Sequence, residues 1–128
     1  MKLAQVRIML DAEVLCGREW LDREVKSACG ADLMSDVLAF TKEQGLLLTG
    51  LTNIQVIRTA EMSDLVAILF VRGKRPGPEV VEMAKNMEIP LLSTKKQMYE
   101  ACGLLYRDGL AGCSLKEEHF CRQNPELN

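Results

Sequence analysis

Leu46-Leu47-Leu48-Thr49-Gly50-Leu51-Thr52-Asn53, Val66-Ala67-Ile68-Leu69-Phe70-Val71-Arg72-Gly73-Lys74-Arg75-Pro76 and Ile89-Pro90-Leu91-Leu92-Ser93-Thr94 are three short apolar runs. Each stops at small, hydroxyl or cationic residues. Segments of helical period separate them. Apolar runs of this length, bounded by turn residues, read as strands, and the unbroken run Val66 to Val71 reads as the buried middle of a parallel sheet. A strand-helix order repeated three times over residues 46–106 requires right-handed crossovers. The three strand ends, near 50, 72 and 93, are therefore expected on one edge of the sheet, where open parallel sheets take their ligands.

Working outward, Leu3, Val6 and Leu10 stand at helical spacing and predict a short first helix. Glu13 to Gly17 reads as a strand closed by Gly17, and Leu21 to Glu24 as a turn. Alternation from Glu24 to Cys29 predicts a second strand, with Val25, Ser27 and Cys29 on one face, ending at Gly30-Ala31-Asp32. A helix from Leu33 to Glu43 follows, with Gly45 as its left-handed C-terminal residue. Thr52 or Asn53 is expected to cap the next helix, which turns Ile54, Ile57, Ala60 and Met62 or Leu65 inward. Pro78 suits the first turn of a helix over 79–87, with Val80, Met83, Ala84 and Met87 inward. A last helix spans Lys96 to Tyr106, and Gly109 and Gly112 end regular structure. The fold class expected is α/β, three layers with a mostly parallel central sheet, in residues 1–108, followed by a polar tail over 109–128.

Composition narrows the function. With 128 residues, 48% hydrophobic and 27% charged, the chain is an ordinary globular domain rather than a disordered one. A net charge of −2 argues against a general nucleic-acid binder, although Arg72, Lys74 and Arg75 form a local basic patch. The longest apolar run, Leu65 to Val71, is too short to span a membrane, which takes roughly 20 residues. The N-terminus lacks the apolar centre of a secretory signal, so a cytoplasmic location is expected. Five cysteines at irregular spacing, without a CxxC pair, fit neither a disulfide framework nor a common zinc site. Cys16, Cys29 and Cys102 are read as small core hydrophobes.

Several longer phrases carry a family resemblance: Leu21-Asp22-Arg23-Glu24-Val25, Asp32 to Ala39, Thr49-Gly50-Leu51-Thr52-Asn53, Arg58-Thr59-Ala60-Glu61, Val71 to Pro76, Ile89 to Thr94 and Met98 to Gly103. Through them the chain resembles the DRTGG domain over residues 1 to about 106, with Asp22-Arg23, Thr49-Gly50 and Gly73 as the traces of its name. The module is also similar to the N-terminal domain of HPr kinase/phosphorylase. Members stand alone, beside CBS domains in regulated pyrophosphatases, or within phosphotransacetylases. The resemblance implies an α/β sandwich with a regulatory or ligand-sensing role, and it carries over no catalytic residue.

The candidate ligand site is the shared strand edge. Gly50 admits close backbone approach, and the helix start after Asn53 favours an anion. Thr49, Thr52, Ser93 and Thr94 supply hydroxyls; Arg72, Gly73, Lys74 and Arg75 supply a cationic turn. Asp32, at the end of the second strand, faces the same crevice and could receive a ribose hydroxyl or cation; Asp32 and Ser35 serve equally as helix caps. Thr49 to Asn53 is not a Walker A loop, lacking the second Gly and the Lys-Ser/Thr pair. Cys113, His119 and Cys121 match no common zinc spacing, and a triad would depend wholly on His119, the single histidine.

Tyr99 and Tyr106 share a face of the last helix that could meet a partner subunit or pack in the core, and a homodimer is expected on the prevalence of two-fold pairs. The expected function is a non-catalytic regulatory module binding a nucleotide or other small anion, with no cofactor, metal, nucleic acid or membrane. The alternative is an adaptor subunit recognising a partner enzyme.

Overall fold

The computed structural model describes residues 1–40 and 44–112. Six strands form one sheet: β1 (Glu13–Cys16), β2 (Ser27–Gly30), β3 (Gly45–Thr49), β4 (Leu65–Phe70), β5 (Leu91–Ser93) and β6 (Ala111–Gly112), in the spatial order β1-β5-β4-β3-β2-β6. All neighbours pair in parallel except β1, which runs antiparallel along β5. The α-helices among the described residues are α1 (Leu3–Met9), α2 (Met34–Phe40), α3 (Ile54–Met62), α4 (Pro78–Asn86) and α5 (Met98–Arg107).

Two cores follow from the period-2 alternation of the central strands. Leu46, Leu48, Ala67, Leu69, Val71 and Leu92 point to one side and meet Leu3, Val6 and Leu10 from α1 with Ala101 and Leu105 from α5. Leu47, Ile68, Phe70 and Leu91 point to the other and meet Val37 of α2, Val56, Ile57 and Ala60 of α3, and Val80 and Ala84 of α4. The three-layer α/β sandwich with a mostly parallel sheet is thus what the apolar runs foretold. Burial of β3 and β4 on both faces excludes any polar residue there until the strand ends.

Several local expectations are corrected. The second strand begins at Ser27, because Glu24 pairs with Lys2 and the Val25 amide donates to the Met1 carbonyl at 2.7 Å. Val25 and Ala28 consequently face the first core and Cys29 the second, which breaks the expected alternation. Gly45 opens β3 instead of closing α2; the left-handed residue is Gln44, at φ 46°. On α3 the buried set is Val56, Ile57, Thr59 and Ala60, while Met62 is exposed and Leu65 starts β4. Met83 and Met87 are only half-buried. Beyond Gly109 a short strand, β6, pairs with β2 at the sheet edge.

Pro78 does begin α4, with Gly77 as its cap residue. Arg23 lies over the Trp20 ring at 4.9 Å and donates to the Val66 carbonyl at 3.2 Å, tying the segment before β2 to the start of β4. Among the described residues no helix is long and apolar enough to cross a membrane.

Candidate functional site

Register brings the strand tips together. Thr49 of β3 sits beside Phe70 of β4, which sits beside Ser93 of β5. The residues after each tip, 50–53, 71–75 and 94–96, therefore share one end of the sheet.

On the β3 side the polar groups bind one another. Asp32 Oδ1 accepts from the Thr49 hydroxyl at 3.0 Å and from the Gly50 amide at 2.8 Å. Thr49 Oγ1 in turn accepts from the Leu51 amide at 3.1 Å. Asn53 caps α3, its Oδ1 accepting from Gln55 N at 3.1 Å. The Arg72 guanidinium lies against Gly50, where a Cβ would overlap it. Asp32 is thus engaged by the β3 tip, a third arrangement beside the helix cap and the ligand contact foreseen for it.

The turn after β4 is unusual. Arg72 and Gly73 both have positive φ, 58° and 68°, and the Lys74 amide donates back to the Val71 carbonyl at 3.1 Å. Two consecutive left-handed residues closing such a bond define a type I′ turn, costly for arginine at the first of them. Bonds from both amides hold it: Arg72 N donates to the Lys96 carbonyl and Gly73 N to the Thr94 carbonyl, each at 2.8 Å. The turn is thereby stitched to the segment after β5.

On the β5 side, the hydroxyls are again consumed. Ser93 donates to the Lys74 carbonyl at 2.8 Å, and Thr94, 1% exposed, donates to the Leu10 carbonyl at 2.7 Å. Among the described residues the side chains of Lys95 and Lys96 are left over. A cleft of about 360 Å³ opens here, lined by Asp11, Glu13, Gly73 and Arg75 together with Ser93 to Lys96. Glu13 and Arg75 pair across it at 2.6 Å with both side chains more than half exposed. The Arg75 hydrogen bond, and then its charge, hold the Glu13 carboxyl below its ordinary range, and Glu13 raises Arg75 in return.

Of the nine residues foreseen for ligand, Gly73, Ser93 and Thr94 line this cleft. Arg72 and Lys74 belong to its turn. Gly50, Thr52, Asn53 and Asp32 belong to the β2–β3 half of the edge. Lys95 and Lys96 were overlooked, although their place directly after a strand-ending Ser93-Thr94 pair marks them.

Among the described residues no group of three His, Cys, Asp or Glu side chains could hold a metal ion. Cys113, His119 and Cys121 lie outside the described residues. Cys16 is buried, and burial pushes its thiol up. Cys29 and Cys102 are half-buried against the second and the first core respectively.

The architecture is that of a small α/β domain whose polar strand ends converge on one edge. The sequence profile of the DRTGG domain matches residues 5–107, and the chain belongs to the DRTGG domain family. A similar solved structure is the crystal structure of the CBS and DRTGG domains of the regulatory region of Clostridium perfringens pyrophosphatase, complexed with its activator diadenosine tetraphosphate. The two share 19% identity at a TM-score of 0.66, over 81% of this chain and 45% of that one. At that identity the likeness speaks to the fold. No curated protein matches the chain.

Proposed function

We propose that this chain is a non-catalytic regulatory module that senses a small anion, a nucleotide being the working class, at the C-terminal edge of its sheet. The observation that carries the reading is the cleft at the tips of β4 and β5. There Arg75, Lys95 and Lys96 gather in a chain whose net charge is −2. Cations concentrated in a concave site against an acidic background focus the local potential on an anion. The cleft also lies outside the strand ends, where open α/β sheets bind ligands.

The hydroxyls and amides of the edge are occupied by internal bonds, so recognition falls to the long cationic side chains. Phosphate oxygens would replace the Glu13 carboxylate on Arg75, where a guanidinium offers a forked donor pair. Gly73, Ser93 and Thr94 shape the wall, and Arg72 and Lys74 extend the positive rim. Gly50, Thr52, Asn53 and Asp32 hold the adjoining loop and would accommodate the remainder of a larger ligand. Membership of the DRTGG family, and likeness to a module within a pyrophosphatase's regulatory region, support a regulatory role. A partner enzyme would read out occupancy.

Thermal unfolding of the full chain with ATP, and separately with inorganic phosphate, tests the reading. Ligand at ten times its dissociation constant stabilises by about 1.4 kcal/mol, a Tm rise of several degrees for a domain of this size. The rise should disappear in the Lys95→Ala/Lys96→Ala variant. No rise with either anion at millimolar concentration overturns it and leaves an adaptor subunit without a small-molecule ligand.

A further inference from the structure

Helix α5 carries a glycine that no contact among the described residues requires. Gly103 lies mid-helix, is exposed, and has nothing within 4 Å of where a Cβ would stand. A mid-helix glycine costs about 1 kcal/mol relative to alanine. Among the described residues no intramolecular contact accounts for it.

Its surroundings have a particular symmetry. Tyr99 and Tyr106, 92% and 72% exposed, flank Gly103 on one side of the helix face. Glu100 and Arg107 flank it on the other, and both are exposed. Each pair is separated by two helical turns, with Gly103 between its members. A groove of about 510 Å³ runs beside this face, with Ala28 and Gly30 of β2 and Leu110 along its far wall. Leu105 of the same helix is buried and the two tyrosines are not, so core packing does not explain them.

We propose that α5 is a self-association surface on which a second copy of this chain crosses antiparallel, with Gly103 at the crossing point. A two-fold axis through that point sets Tyr99 of one copy against the partner's Tyr106, and Glu100 against the partner's Arg107. The pattern is therefore self-complementary only in the antiparallel sense; a parallel two-fold pairing in register would set the charged row of one copy against the tyrosine row of the other. The absent Cβ lets the helix axes approach closely, and the tyrosine rows supply amphipathic contact area at low entropic cost. The occupant is a second copy because both halves of each ion pair and each aromatic pair are present on the same face. This surface is separate from the cationic cleft and stands or falls without it.

Sedimentation of the full chain across a concentration series tests the pairing. The wild-type chain should form a concentration-dependent dimer. Glu100→Arg and Arg107→Glu should each raise the dimer dissociation constant about tenfold, since each turns two attractive pairs into repulsive ones. Combining them restores opposite charges across the axis and should return it to near the wild-type value. Gly103→Gln should raise the melting temperature of the monomer, by improving the helix, while blocking association. A chain that stays monomeric into the millimolar range overturns the proposal, whether because residues 113–128 cover the face or because a different protein does. So does a dimer indifferent to Gly103→Gln, or a double charge swap that fails to rescue.

Discussion

The two halves of the strand-tip edge use the same residue types to opposite ends. Around β2 and β3, Asp32, Thr49, Gly50 and Asn53 form a closed set in which each polar side chain bonds a neighbour. Around β5, the hydroxyls of Ser93 and Thr94 are equally committed to main-chain carbonyls, but Lys95 and Lys96 line a cleft with Arg75. Hydroxyls and glycines at a strand tip are thus spent on folding, and uncommitted charge distinguishes the half that can recognise something. Substitutions on the two halves should separate cleanly into those that move stability and those that move binding.

The largest stability effect is expected at Thr94. Its hydroxyl is buried, donates to Leu10 O and accepts from Lys96 N at 3.3 Å, so Thr94→Val leaves the buried Leu10 carbonyl without its donor and the part-buried Lys96 amide without its acceptor. A loss of about 1–3 kcal/mol should appear in urea denaturation. Asp32→Ala comes next: the Gly50 amide it serves is exposed and can turn to water, so about 1 kcal/mol is expected. Asp32→Asn keeps an acceptor at the same place and should cost less. A loss of binding without a loss of stability in Asp32→Ala would move Asp32 from the closed half to the open one.

The Lys95→Ala/Lys96→Ala variant should do the reverse. Lys95 is exposed and Lys96 half-buried, and neither side chain joins an ion pair among the described residues; such surface lysines rarely shift stability by more than about 0.5 kcal/mol. The same change should abolish phosphate- or ATP-induced stabilisation. If instead it lowers the unliganded melting temperature by many degrees, the lysines are structural and the contrast between the halves fails.

How much of this was legible in the sequence follows the range of the interactions involved. The buried runs of β3, β4 and β5 announce themselves because both faces need apolar residues, and their common edge follows from connection geometry. Strand β1 is legible as Glu13 to Gly17, but its antiparallel direction comes from β5, far along the chain, and β6, two exposed residues, carries no period. The site was half legible for the same reason. Asn53 caps a helix two residues away, a local pattern. Thr94 serves a carbonyl 84 positions off and Asp32 a hydroxyl 17 positions off, so no local signal could show that these groups were already engaged. Cations, which need no partner to declare themselves, are the more dependable markers, although Lys96 also reads as a helix start.

The smallest and most discriminating effect concerns Glu13, the carboxylate that competes for Arg75. Its pKa is depressed in the folded state by that pairing, so whatever the pair contributes is present above the ordinary carboxylate range and is lost as pH falls through the lowered value. Both groups are exposed, so folding stability should barely change across that window. Anion binding should respond more. Protonating Glu13 removes a negative charge from the cleft and frees the guanidinium, so affinity for a permanently charged probe such as sulfate should rise as pH drops below the usual carboxylate range, and stay flat between pH values of about 6 and 8. Glu13→Gln should lift affinity several-fold at neutral pH and erase the acid-side rise. Titration calorimetry with sulfate measures both; an unchanged affinity in Glu13→Gln would place the anion elsewhere on the edge and return the closed half to contention.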